Sequence, residues 1–152
     1  MIQRKQTIFL LLAIILSVVC LCQPVASLQP VGMGIGSTVF NLWIETGEGA
    51  RSFTPWPLFA ILLISCPVAV AAIATFKNRM LQARFCLLNM FLLLAWMCYF
   101  GWLAYSLGKD GAQTFHIHWT AFLVPLAFIM YWLARRGVLA DEALVKSMDR
   151  IR

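Results

Sequence analysis

The chain has 152 residues, 62% hydrophobic and 12% charged, with a mean hydropathy of +0.84. Soluble domains are about half apolar and about a quarter charged, so this much apolar surface cannot be hidden in one small soluble core. A net charge of +6 does not indicate nucleic acid, because the cations cluster beside apolar runs and form no basic face interleaved with aromatics. Anionic headgroups at a membrane surface account for them better.

From the N-terminus, Arg4 and Lys5 precede an uncharged run, Thr7–Leu28. Its roughly 22 residues would span about 30 Å of hydrocarbon as a helix. The basic start and Val25-Ala26-Ser27 also resemble a cleavable signal, but the apolar run is long for one, and a retained helix is expected. Gln29–Pro55 is the long polar connection. Ser37–Glu45 is rich in strand formers, Thr46-Gly47-Glu48-Gly49 reads as a turn and Ala50–Thr54 as a returning strand, together a small β-hairpin.

Trp56–Phe76 is the second expected span, with Pro67 near its middle as a kink. Lys77–Arg84 follows, a turn with three cations and no acid. The chain carries no charge from there back to Arg51 or forward to Lys109. Phe85–Leu107 is the third span. Gly108–Thr114 is a short loop, and Phe115–Ala134 is the fourth span, with Pro125 near its centre. The tail, residues 135–152, reads as a short amphipathic helix. Asp141 is placed at its N-cap, and Leu144, Val145, Met148 and Ile151 recur at three- and four-residue spacing.

This reading predicts a single all-α membrane domain with four transmembrane helices in a bundle. Ten of the twelve Lys and Arg fall at the N-terminus, the basic turn and the tail; only Arg51 and Lys109 fall on the other side. The positive-inside rule then puts both termini in the cytoplasm. Trp43, Trp56, Trp102, Tyr105 and Trp119 are expected at the outer boundary, and Tyr131 and Trp132 at the inner one, as an aromatic belt.

Three stretches carry a resemblance: Met1–Thr7, Phe76-Lys77-Asn78-Arg79-Met80-Leu81-Gln82-Ala83-Arg84-Phe85-Cys86 running on to Asn89, and Asp141–Arg152. With them the chain resembles a bacterial membrane family catalogued as domain of unknown function 4293. The resemblance implies four spans, a bacterial cytoplasmic membrane and a retained first helix. It supplies no activity, substrate or cofactor.

No Asp, Glu, Lys or Arg lies inside the expected spans, which argues against an ion-coupled transporter. His116-x-His118 lacks a third nearby ligand for a metal, and the two residues point apart on a helix but share a face in an extended segment. The five cysteines, Cys20, Cys22, Cys66, Cys86 and Cys98, lie in or beside apolar runs and read as packing residues. Trp96, Tyr99, Trp102 and Tyr105 recur every third residue as packing that merges into the interface belt. Asn89 and Gln82 are expected to bond across helices or to headgroups. Ser65 and Ser106 have no identifiable base. No catalytic constellation, metal site or cofactor site is expected.

Two functions remain. One is a non-enzymatic scaffold or accessory subunit that presents a cytoplasmic surface to a membrane or cytoplasmic protein partner. That surface comprises Lys77, Arg79, Arg84, Lys146, Asp149, Arg150 and Arg152. The tail is expected first of all to be an interfacial anchor lying on anionic lipid. The alternative, suggested by the acids among these cations, is specific pairing such as Asp149 with Arg79 or Arg84, which would dock the tail against the turn. The other is a lipid- or small-molecule-handling protein with a groove between proline-kinked helices.

Overall fold

The computed structural model describes residues 3–30, 32, 34–75, 78–109 and 113–149. Four helices account for most of them: α1 (Gln3–Cys22), α2 (Trp56–Ala74), α3 (Arg79–Gly108) and α4 (Leu123–Asp149). Contacts between α1 and α2, α2 and α3, α3 and α4, and α4 and α1 close these helices into a ring. Among the described residues, three stretches are long and apolar enough to cross a membrane: α2, α3 and Trp119–Val145, which takes in the 3-10 turn before α4 and α4 as far as Val145. In α1 the apolar part is shorter, Thr7–Cys22.

The fold is not all-α. Five short strands, β1 (Ala26–Pro30), β2 (Ser37–Val39), β3 (Ile44–Thr46), β4 (Arg51–Ser52) and β5 (Gln113–Ile117), form an antiparallel sheet in the order β4-β3-β2-β1-β5. The predicted hairpin is present as β3–β4, where Gly49 takes φ +82°, a conformation open to glycine. It is the outer part of a larger sheet. The stretch read as one strand, Ser37–Glu45, folds back on itself, with Phe40 N–H donating to the Trp43 carbonyl at 2.8 Å.

The last two strands in this order, β1 and β5, come from segments that overlap the expected first and fourth spans. The first span ends at Cys22 instead of Leu28. Pro24 has no N–H to continue the helix and disfavours the helical region at Gln23. The chain then enters β1, whose Ala26, Ser27 and Leu28 pair with Val39, Thr38 and Ser37 on one side and with Ile117, His116 and Phe115 on the other. The expected fourth span begins as β5, passes through a 3-10 turn (Trp119–Phe122) and becomes α-helical only at Leu123. Pro125 therefore lies in the first turn of α4, where a proline removes no intrahelical bond, and does not kink a span. Burial along β1 and β2 alternates, and Ala26, Leu28, Val39 and Ile44 join the same core as Leu58, Leu93, Trp96 and Val124 of the helices.

Two further boundaries differ from expectation. The basic turn is mostly helix: α3 begins at Arg79, so Arg79 and Arg84 stand on its first turns. The tail is not a separate helix. Helix α4 runs through Gly137 to Asp149. One helical glycine costs only about 1 kcal/mol, and the buried face Tyr131, Ala134, Val138 and Asp141 continues across it.

Candidate functional site

Polar side chains inside this molecule gather at three levels along the helices. The first lies where α3 begins. The Arg79 guanidinium donates through Nη1 to the backbone carbonyl of Asp141 on α4 at 3.1 Å. Asp141 is buried against this corner, not placed at a helix N-cap. Arg84 is exposed, and Arg136 stacks over the Trp132 ring at 5.0 Å. The structure thus joins the start of α3 to the tail part of α4. Lys146 and Asp149 lie on α4, with side chains outside the described atoms; Lys77, Arg150 and Arg152 lie outside the described residues. The expected pairing of Asp149 with Arg79 or Arg84 falls outside the description for the same reason.

The second level is midway along the helices. Asn89 on α3 is fully buried and faces Ser65 on α2. With its amide oriented so that donors meet acceptors, Nδ2 donates to Ser65 Oγ and to the Ser65 carbonyl, both at 3.1 Å. Oδ1 then accepts from the Ala69 N–H at 3.2 Å. The opposite orientation would set oxygen against a carbonyl and nitrogen against an N–H. Tyr131 of α4, expected in the inner aromatic belt, is instead fully buried beside Ser65 and Ser17. Ser17 of α1 returns its hydroxyl to the Ala13 carbonyl at 2.9 Å. One polar residue from each helix therefore meets in the interior.

The third level lies under the sheet. Asn41, in the bend between β2 and β3, is fully buried. Its Nδ2 donates to the Cys20 carbonyl at 2.6 Å, and its Oδ1 accepts from Trp96 Nε1 at 3.2 Å. The Cys20 carbonyl is one of the last four of α1, which have no partner within their own helix. Thr120 donates in the same manner to the Pro24 carbonyl. Trp96 stacks on Phe100 at 5.0 Å, and Phe100 meets Phe115 of β5 edge-on at 6.0 Å.

Beside this level, a groove of about 170 Å³ opens between α3 and the start of α4. Trp96, Met97, Gly101, Ile117, Phe122 and Pro125 are among its lining residues, and its walls are almost wholly apolar. The three-residue aromatic repeat on α3 is thus divided. At 100° per residue, each three-residue step falls about 60° short of a full turn. The repeat winds from Trp96, 1% exposed, to Trp102, 59% exposed.

His116 is exposed on β5 with Thr114 Oγ1 3.4 Å from its Nε2, and His118 is half-buried just beyond the strand. Among the described residues no group of three His, Cys, Asp or Glu could hold a metal ion. The five cysteines are free thiols, with Cys20 and Cys86 buried. Asn41, like Ser17 and Thr120, is a site residue that sequence reasoning missed. A single asparagine in a polar loop carries no periodic signal of burial, and its role depends on a carbonyl 21 positions away.

No curated protein matches this chain. A family model covers residues 2–151, the whole described structure from α1 to the end of α4, and the chain belongs to the family described as a domain of unknown function, DUF4293.

Proposed function

We propose that this protein is a non-enzymatic integral membrane scaffold or accessory subunit. In this reading it crosses the bacterial cytoplasmic membrane four times with both termini inside. The start of α3 and the tail part of α4 make up one cytoplasmic recognition surface. The observation that carries the reading is the hydrogen bond from Arg79 to the Asp141 carbonyl, which ties the basic turn to the tail. A tail that only lay on anionic lipid would need charge but no such contact. The apolar part of helix α1, Thr7–Cys22, covers about 24 Å, and the proposed first crossing has Arg4 and Lys5 placed at the inner interface.

The test is limited proteolysis of membranes together with recovery of partners in mild detergent. Arg79→Met should expose the tail beyond Val138 to protease and lower partner recovery. Asp141→Asn should leave the Arg79 contact intact, because the acceptor is a backbone carbonyl. Unchanged tail protection in Arg79→Met refutes the reading.

The groove between α3 and α4 favours a second reading, a protein that handles lipid or another apolar small molecule. Gly101 lines the groove and a Cβ added there meets nothing within 4 Å, so Gly101→Leu adds an apolar side chain beside the groove with no clash at its Cβ. Native mass spectrometry of the two forms should then show loss of a retained lipid. Equal lipid occupancy rejects this second reading.

A further inference from the structure

Helix α2 carries Pro67 in its interior yet runs unbroken from Trp56 to Ala74. A proline there removes the N–H that would serve the Leu63 carbonyl, and its ring presses on that carbonyl. The Leu63 carbonyl is left without its helical donor, so the turn around Pro67 is weaker than the rest of α2; Asn89 does not bond that carbonyl but braces the turn beside it. Asn89 of α3 stands at this turn. Its amide grips Ser65 on one side of Pro67 and Ala69 on the other, with bonds of 3.1 and 3.2 Å. These are a carbonyl and an N–H of the same helical turn, four residues apart. A side chain that donates to one and accepts from the other clamps the turn across the proline.

We propose that Asn89 is the latch of a hinge in α2 at Pro67, holding the helix closed while the amide is seated and letting it open at residues 65–69 when the amide leaves. Helix α2 joins the sheet to the short turn before α3, so bending there moves the sheet relative to the basic start of α3. This inference concerns α2 and α3 alone and does not depend on what the inner surface recruits. Asn89 is fully buried, and Leu has nearly its size without its hydrogen bonds.

The experiment compares the full chain with Asn89→Leu, Pro67→Ala and the double variant, all in mild detergent, by equilibrium unfolding and by amide hydrogen exchange resolved to peptides. Asn89→Leu should lower the folding equilibrium constant about tenfold, the scale of interhelical hydrogen bonds. It should also speed exchange about tenfold in the peptide containing Leu63–Val70, with other α2 amides little changed. With Pro67→Ala already present, the same Asn89→Leu change should have a several-fold smaller effect on both readouts. If Asn89→Leu alone does not fold, folding of the double variant supports the latch. An equal loss in both backgrounds overturns the proposal, as does unchanged exchange at Leu63–Val70 in Asn89→Leu.

Discussion

Replacing Asn41 by alanine probes whether the sheet is anchored to the helices or merely rests on them. Asn41 is fully buried and makes two hydrogen bonds, to the Cys20 carbonyl at 2.6 Å and from Trp96 Nε1 at 3.2 Å. Alanine leaves both partners buried and unpaired. Each orphaned polar group costs about 1–3 kcal/mol, so Asn41→Ala should destabilise by about 2–6 kcal/mol. Asn41→Asp keeps the acceptor for Trp96 but turns an acceptor oxygen towards the Cys20 carbonyl, and should be at least as damaging. Trp96→Phe removes one of the two bonds together with part of the stack on Phe100. The double variant Asn41→Ala, Trp96→Phe should cost about 1 kcal/mol less than the two single changes added together, because neighbours that share a bond are not independent. Helical circular dichroism during chemical unfolding in mild detergent gives all four free energies. A cost for Asn41→Ala below about 0.5 kcal/mol, or strict additivity in the cycle, would show that the network does not anchor the sheet, the former being the size of a change away from any such feature.

Other expectations follow from the same structure. Reporter fusions after Arg152 and beside Arg79 should read cytoplasmic, and fusions at Gly49 external; a C-terminus on the outer side would end the four-crossing proposal. Intact mass of the membrane form should include Met1–Ser27, and a product starting at Leu28 would mean that α1 is removed. Gly49→Ala should cost about 1–2 kcal/mol, since an L side chain at φ +82° is strained even though the space around it is open. An equilibrium unfolding curve unmoved by this change would contradict the turn. Glu45→Gln should cost less than about 1 kcal/mol in the same assay, because its 3.6 Å pair with Arg51 is solvent-exposed. A larger loss would mean that this pair holds β3 and β4 together.

Sequence by itself determined the helical majority, the apolar character of α2, α3 and α4, and the family. Long uncharged runs bounded by charge have few other ways to satisfy their backbone in hydrocarbon. The turn around Gly47 and Gly49 was legible for a similar reason, since local backbone chemistry selects it. Only the tertiary structure decided where helix gives way to strand. Ala26–Leu28 and Phe115–Ile117 are too short for period to separate strand from helix, and they become strands because each finds the other across 85 or more intervening residues. Partnership decided the site as well. Asn41, Asn89 and Tyr131 are single polar letters whose burial depends on which carbonyl, hydroxyl or indole the fold brings opposite them. Asp141 reads as a cap because local propensity favours it there. The buried face of α4, running from Tyr131 to Asp141, outweighs that propensity and carries the helix through.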